Sequence, residues 1–290
     1  MESARALSLR GGIADEAIHR LRRVIHRGLL RFARNDGRIF QINGCSFRLA
    51  LAALAALITA LPAPAAELKI NPPTEEEGQV SLEDNSALVL RRGHSSDPHQ
   101  THFVELGYGV TEYWWTEIEG HWESDLGGLK YRTTDFENAF RIFREGEWLP
   151  VTSLFLEYDQ PTDGKTPSTA TIGGLFGKTF GPSQTVINLL LDHDMGRHAV
   201  TGVRLRYNGI STWQFIPEIA PGIEFFGEPG KLGSFARAGA QDHRLGPVLH
   251  GAREIEEVGD FAYNIGYVFG VTPAAPRGTL VWRLEFGRDF

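Results

Sequence analysis

The sequence predicts an all-β protein: an antiparallel up-and-down transmembrane β-barrel of about twelve strands, preceded by a signal peptide. Three observations predict it. From residue 85 to residue 290, short segments alternate apolar and polar residues with period two, and turn residues separate them. The apolar sets carry large aromatics at strand ends, whereas the opposing sets are rich in charge and glycine. Near the N-terminus, a basic flank leads into a short apolar run followed by small residues.

The whole-chain averages conceal this organisation. The chain has 290 residues, a formal charge of −7 and 42% hydrophobic residues, values ordinary for a soluble domain. Residues 1–66 hold ten Arg, no Lys and four acids, a net of +6, so the remainder carries −13. That acidic balance argues against a nucleic-acid partner. Arg48 precedes an apolar run of 13 residues, Leu49 to Leu61, interrupted only by Thr59. Pro62, Ala63, Pro64, Ala65 and Ala66 then supply a site for signal cleavage. The run is short for a membrane-spanning helix. Residues 1–66 are therefore expected to be an N-terminal extension and cleavable signal, which also removes Cys45, the single cysteine. Residues 67–84, polar, acidic and proline-containing, read as a periplasmic linker, with the barrel over 85–290.

Parity defines the strands. Val104, Leu106, Tyr108 and Val110 share one face and Glu105 the other. Ile118 and Trp122 oppose Glu117, Glu119, His121 and Glu123; Phe136, Phe140 and Ile142 oppose Glu137 and Arg141. Leu154, Leu156 and Tyr158 oppose Glu157 and Asp159; Ile187, Leu189 and Leu191 oppose Asn188, Asp192 and Asp194. Val203, Leu205 and Tyr207 oppose Arg204 and Arg206; Ile219, Ile223 and Phe225 oppose Glu218 and Glu224. Tyr263, Ile265 and Tyr267 oppose Asn264, and Trp282, Leu284 and Phe286 oppose Arg283 and Glu285. The expected strands are 85–93, 102–110, 113–124, 132–143, 150–159, 169–180, 184–194, 199–208, 212–227, 242–250, 260–270 and 278–290. Ten strands is the alternative count. A closed barrel is the β architecture that satisfies its backbone inside lipid. Tight turns at 109–111, Gly181-Pro182 and Asn208-Gly209 fall on one side, and the longer 227–241 connection falls on the other. The 250–259 connection is long for a periplasmic turn.

The final strand carries Trp282, Leu284, Phe286 and Phe290 in phase. This resembles the C-terminal signal that bacterial barrel-assembly machinery reads. The strings GVTEYWWTEIEG, ENAFRIF, PGIEFFGEPG and HRLGPVLHG resemble segments of little-characterised proteobacterial outer-membrane transporter-like barrels, over about residues 85–290. The resemblance implies residence in the bacterial outer membrane, with its lipid and the export and assembly machinery as partners. At most it implies passive passage of small molecules, and no catalytic residue comes with it.

Three constellations are candidates for chemistry. Pore-lining charges are expected at Glu105, Glu117, Glu119, Glu137, Arg141, Glu157, Arg204, Arg206, Glu218, Glu224, Arg283 and Glu285. They suit a channel for small polar solutes, because rings of charge set selectivity. The alternative is a salt-bridged, non-conducting structural or interaction barrel. His94, His99 and His102, together with Asp192, Asp194 and His198, have the ligand chemistry for a divalent transition metal, but their spacing matches no sharp motif. An enzyme, such as a lipid-hydrolysing surface barrel, is not expected. No G-x-S-x-G elbow occurs, and Ser153 and His193 fall on different faces and heights. No cofactor is expected. Trp114, Trp115 and Trp148 read as interface anchors.

Overall fold

The computed structural model describes residues 68–90, 99–125, 128–255 and 259–289. The expected signal peptide and N-terminal extension lie outside the described residues, as does Phe290.

Twelve long strands form the sheet: β1 (Gln79–Leu90), β2 (His99–Thr111), β3 (Trp114–Asp125), β4 (Gly128–Phe143), β5 (Val151–Pro161) and β6 (Ser168–Phe180). They continue with β7 (Ser183–Met195), β8 (Val203–Trp213), β9 (Ala220–Lys231), β10 (Asp242–Ile255), β11 (Gly259–Gly270) and β12 (Gly278–Asp289). Each strand pairs antiparallel with its sequence neighbours, and β1 pairs with β12, so the sheet closes on itself. Ser234–Phe235 folds back on the end of β9, and a 3-10 turn spans Ala238–Ala240. Closure leaves no sheet edge.

The register explains where the sequence reading slipped. β1 begins at Gln79, not at residue 85, so six residues assigned to the linker are strand. Asn208-Gly209, read as a turn, lies inside β8, and the β8–β9 connection is 214–219. Both neighbouring strands hold Asn208 and Gly209 in the ladder, opposite Asn188 and Ile187 on β7 and Phe226 and Phe225 on β9. Pairing on two sides overrides the local turn preference of an Asn-Gly pair. Glu218 consequently sits in that connection rather than on a strand wall, and its carbonyl accepts a bond from the Tyr263 hydroxyl at 2.7 Å. The 250–259 connection shrinks because β10 runs on to Ile255 and β11 starts at Gly259.

The outer face is an apolar belt. Leu106, Ile118, Phe136, Leu156, Ile172, Leu189, Ile223, Leu245 and Ile265 are exposed, one from each of nine strands. Rings border the belt. Trp114 and Trp122 lie eight residues apart on β3, a rise of about 20 Å for a tilted strand. Trp114 stacks on Phe140 and Trp122 tilts against Tyr131.

Candidate functional site: a charged lumen occupied by residues 68–78

Residues 68–78 run through the lumen, although the sequence marks them as linker. Glycines make room for them. A Cβ on Gly109 would meet the Glu76 carbonyl oxygen at 1.8 Å, and one on Gly177 would meet the Pro73 ring at 2.8 Å. Gly78 N–H donates to the Gly109 carbonyl at 2.8 Å, and the Ser153 hydroxyl donates to the Pro73 carbonyl. Deeper in, Asn71 and Asn188 form a two-bond clasp: Asn71 N–H to Asn188 Oδ1 at 2.8 Å, and Asn188 Nδ2 to the Asn71 carbonyl at 3.0 Å. Asn208 Nδ2 donates to the Lys69 carbonyl at 2.7 Å, and Arg283 donates to the Ile70 carbonyl at 2.9 Å.

Lys69 ends in a cage of carboxylates. Its Nζ lies 2.9 Å from Glu105, 3.4 Å from Glu117, 2.8 Å from Glu119 and 2.7 Å from Glu137. These four side chains come from β2, β3 and β4, and each is buried. Period two explains the convergence: Glu117 and Glu119 on β3 point inward together, with Glu105 and Glu137 level with them on the flanking strands. One ammonium facing four carboxylates leaves the cage with an excess of acid, unlike a neutral structural ion pair. Glu75, Glu83 and Glu117 also bring one carboxylate oxygen each within 4.8 Å of one another.

Two further charge groups complete the wall. Arg206 reaches across to Glu157 on β5 and to Asp192 on β7, both at 3.3 Å. Arg283 lies 3.8 Å from Glu83 and donates to Asn85, which in turn donates to Glu105. Glu224 accepts from Asn264. Apolar side chains fill space beside these groups. Trp115, Ala139, Phe155, Leu175 and Leu190 form one cluster, and Ile70 packs with Ala87, Phe226, Val268 and Val281 in another.

Of the pore-lining candidates, Glu105, Glu117, Glu119, Glu137, Glu157, Arg206 and Glu224 are buried, and Arg283 and Glu285 are half-buried in the same wall. Arg141 lies at the turn end of β4, where it reaches the exposed Glu112 at 3.3 Å. Arg204 pairs with Asp194 at 2.7 Å and is more exposed. Trp115 is 2% exposed and points inward, so it anchors no interface. Trp282, Leu284 and Phe286 share the outward face of β12.

Among the described residues, the metal candidates His102, Asp192, Asp194 and His198 are not brought together. His94 and the side chain of His99 lie outside the described residues. Asp192 accepts from Thr171 and Arg206, and Asp194 pairs with Arg204, both on the inward face. His198 is exposed in the 196–202 connection. His102 has the opposite parity from Glu105 on β2 and so faces away from the lumen. A set divided between the two faces of a sheet forms no common coordination sphere.

Sequence reasoning missed the occupied lumen. The available signal was Lys69, the one cation in an otherwise acidic stretch from residue 67 to residue 84.

No family model and no curated protein matches the chain. Solved structures similar to it include an outer membrane channel, COG4313, from Pseudomonas putida F1, at 10% identity and a TM-score of 0.45, covering 79% of this chain and 99% of that one. CdiB from Escherichia coli aligns at 10% identity and 0.38, covering 80% of this chain and 69% of that one. A bacterial polysaccharide outer membrane secretin aligns at 7% and 0.34, covering 74% and 100%. At such scores these likenesses carry no argument about function. The closed ladder, the apolar belt and its bordering rings carry the conclusion instead: the chain is an integral β-barrel of the outer-membrane type.

Proposed function

We propose that the barrel is an outer-membrane channel for small polar solutes, with a preference for cations, and that residues 68–78 hold it closed. The Lys69 cage carries this reading: four buried carboxylates hold an ammonium belonging to the chain itself. When the segment withdraws, the cage is an acidic constriction that admits cations and repels anions. Lipid of the outer membrane surrounds the belt, and Trp282, Leu284, Phe286 and Phe290 form the signal for the assembly machinery. A second reading, a non-conducting scaffold, draws on the apolar clusters that fill part of the lumen. Conductance in planar bilayers separates the two. The channel reading expects low, intermittent current from the wild-type chain and a larger, cation-selective current once Lys69 is neutralised. Silence from both folded proteins contradicts it.

A further inference from the structure

One part of the outer face breaks the apolar pattern. Glu83 and Asn85 face the lumen, so Asp84 and Ser86 on β1 face outward, as do Gln100 and His102 on β2. These four polar residues sit side by side on the outward face of the sheet, and each is buried where the belt residues of that face are exposed. An ionisable group on that face is costly, and it points to function before structure. Their level is informative as well. His102 is paired in register with Trp122, one of the rings that border the belt, so the group lies at the interface where the ester linkages of membrane lipids are found.

The geometry is that of a nucleophile and its base. Ser86 Oγ lies 2.7 Å from His102 Nδ1. Asp84 Oδ1 is 3.4 Å from the same nitrogen and accepts from the Ser86 hydroxyl at 2.8 Å, a proton that rotation about Cβ–Oγ turns toward Nδ1. On the far side of the ring, the Gln100 amide lies 2.7 Å from His102 Nε2. With that amide turned so that its oxygen accepts from Nε2–H, Nδ1 carries the lone pair that accepts the Ser86 proton. Two polar atoms beside this pair are buried and have no partner among the described residues: Asp84 Oδ2 and Trp282 Nε1. Trp282 stands directly opposite Ser86 on β12, with its ring 6.1 Å from that of His102. A buried N–H donor without an acceptor, on the residue paired with Ser86 across the ladder, suits the oxygen of an ester on which negative charge develops.

We propose that Ser86 and His102 form an outward-facing site that cleaves carboxylic esters of membrane lipids, with Trp282 N–H stabilising the oxyanion, Gln100 positioning the imidazole and Asp84 stabilising the imidazolium that forms when Nδ1 takes the proton. Ser86 Oγ bonds to the ester carbonyl carbon, and its proton passes to His102 Nδ1. The C–O bond to the lipid alcohol breaks, and His102 returns the proton to that alcohol. Water then attacks the acyl-serine, again losing a proton to His102, which hands it to Ser86 as the fatty acid leaves. Ser86 is 6% exposed and His102 1%, so the carbonyl enters only when the side chains that cover the pair shift, with Trp282 N–H kept beside Ser86. The site faces away from the lumen and operates whether or not the barrel conducts.

The test uses the full chain, folded in phosphatidylethanolamine–phosphatidylglycerol vesicles, and a long-chain alkyl fluorophosphonate. The expected result is a covalent adduct mapped by mass spectrometry to Ser86. Adduct formation slows at least about 100-fold in His102→Gln, and release of fatty acid from the vesicles slows about 100-fold in Trp282→Phe. Heat-modifiable gel mobility confirms that each variant is folded. A folded wild-type chain with no adduct at Ser86 overturns the proposal without any variant. Equal reactivity of folded wild type and His102→Gln overturns it as well.

Discussion

The β3–β4 wall turns an apolar belt to lipid and carboxylates to the lumen, whereas the β12–β1–β2 wall carries charge on both faces. On β3, Ile118 is exposed toward lipid while its neighbours Glu117 and Glu119 are buried against Lys69. On β1, charge occupies both faces: Glu83 looks inward and Asp84 outward, and both are buried. Alternation alone builds the first wall, because a strand facing lipid on one side and water or ions on the other needs nothing else. The second wall carries polar side chains where alternation calls for apolar ones. The lesson is that period two describes the scaffold, and departures from it mark the places where the molecule does more than span a bilayer.

The largest effect expected within this comparison is at Lys69. Lys69→Met removes the ammonium shared by the Glu105, Glu117, Glu119 and Glu137 carboxylates, and breaking a buried ion pair typically costs about 3–5 kcal/mol. Urea unfolding followed by gel mobility should show a lower midpoint, and residues 68–78 should become sensitive to protease. The next effect contrasts neighbours on β3. Ile118→Arg places a charge in the belt and should cost about 2–4 kcal/mol, whereas Glu119→Gln, one residue on but facing inward, should cost less and relieve repulsion in the cage. Equal costs would mean that the two faces have been misassigned.

A smaller effect is expected at Gly109→Ala. The added methyl meets the Glu76 carbonyl, so the exit of the segment shifts at a cost of about 1–3 kcal/mol, and current fluctuations in bilayers should increase. Arg204→Ala removes a partly exposed pair with Asp194 and should change stability by no more than about 1 kcal/mol. The same change at Arg206, which holds Glu157 and Asp192 inside the lumen, should be clearly larger and should increase cation selectivity.

The smallest effect lies outside the membrane. Asp163, in the connection between β5 and β6, accepts from the N–H of Lys165 at 2.9 Å and of Thr166 at 2.8 Å. These donors, with Thr166 first, hold its carboxyl below the ordinary value of 3.8. A depressed folded pKa stabilises the loop above the unfolded value and loses that contribution as pH falls through the folded one. Asp163→Asn should therefore raise protease nicking of the loop at neutral pH and leave it unchanged at the acid extreme.

The strands were legible because each buries one face and exposes the other, so Leu106 next to Glu105 and Ile118 next to Glu119 read directly from the sequence. Asn208-Gly209 misled because turn chemistry is local, whereas register is imposed by β7 and β9 together. The lumen segment was illegible for a different reason. Lys69, Asn71 and Glu75 are polar, and polarity in a short proline-containing stretch looks the same whether its partners are water or buried side chains. The partners of Lys69 and Asn71 lie 36 to 139 residues away in the chain, and no spacing rule reaches that far. The Ser86–His102 pair was hidden similarly, since a cross-strand contact depends on a register that only the closed sheet reveals.

Single-channel recording of wild type beside Lys69→Gln tests most directly whether a charged lumen is held shut by a cation from the chain itself. Small intermittent currents are expected from the wild type and sustained, larger, cation-selective currents from the variant. Identical currents from two folded proteins, or an anion-selective variant, would contradict it.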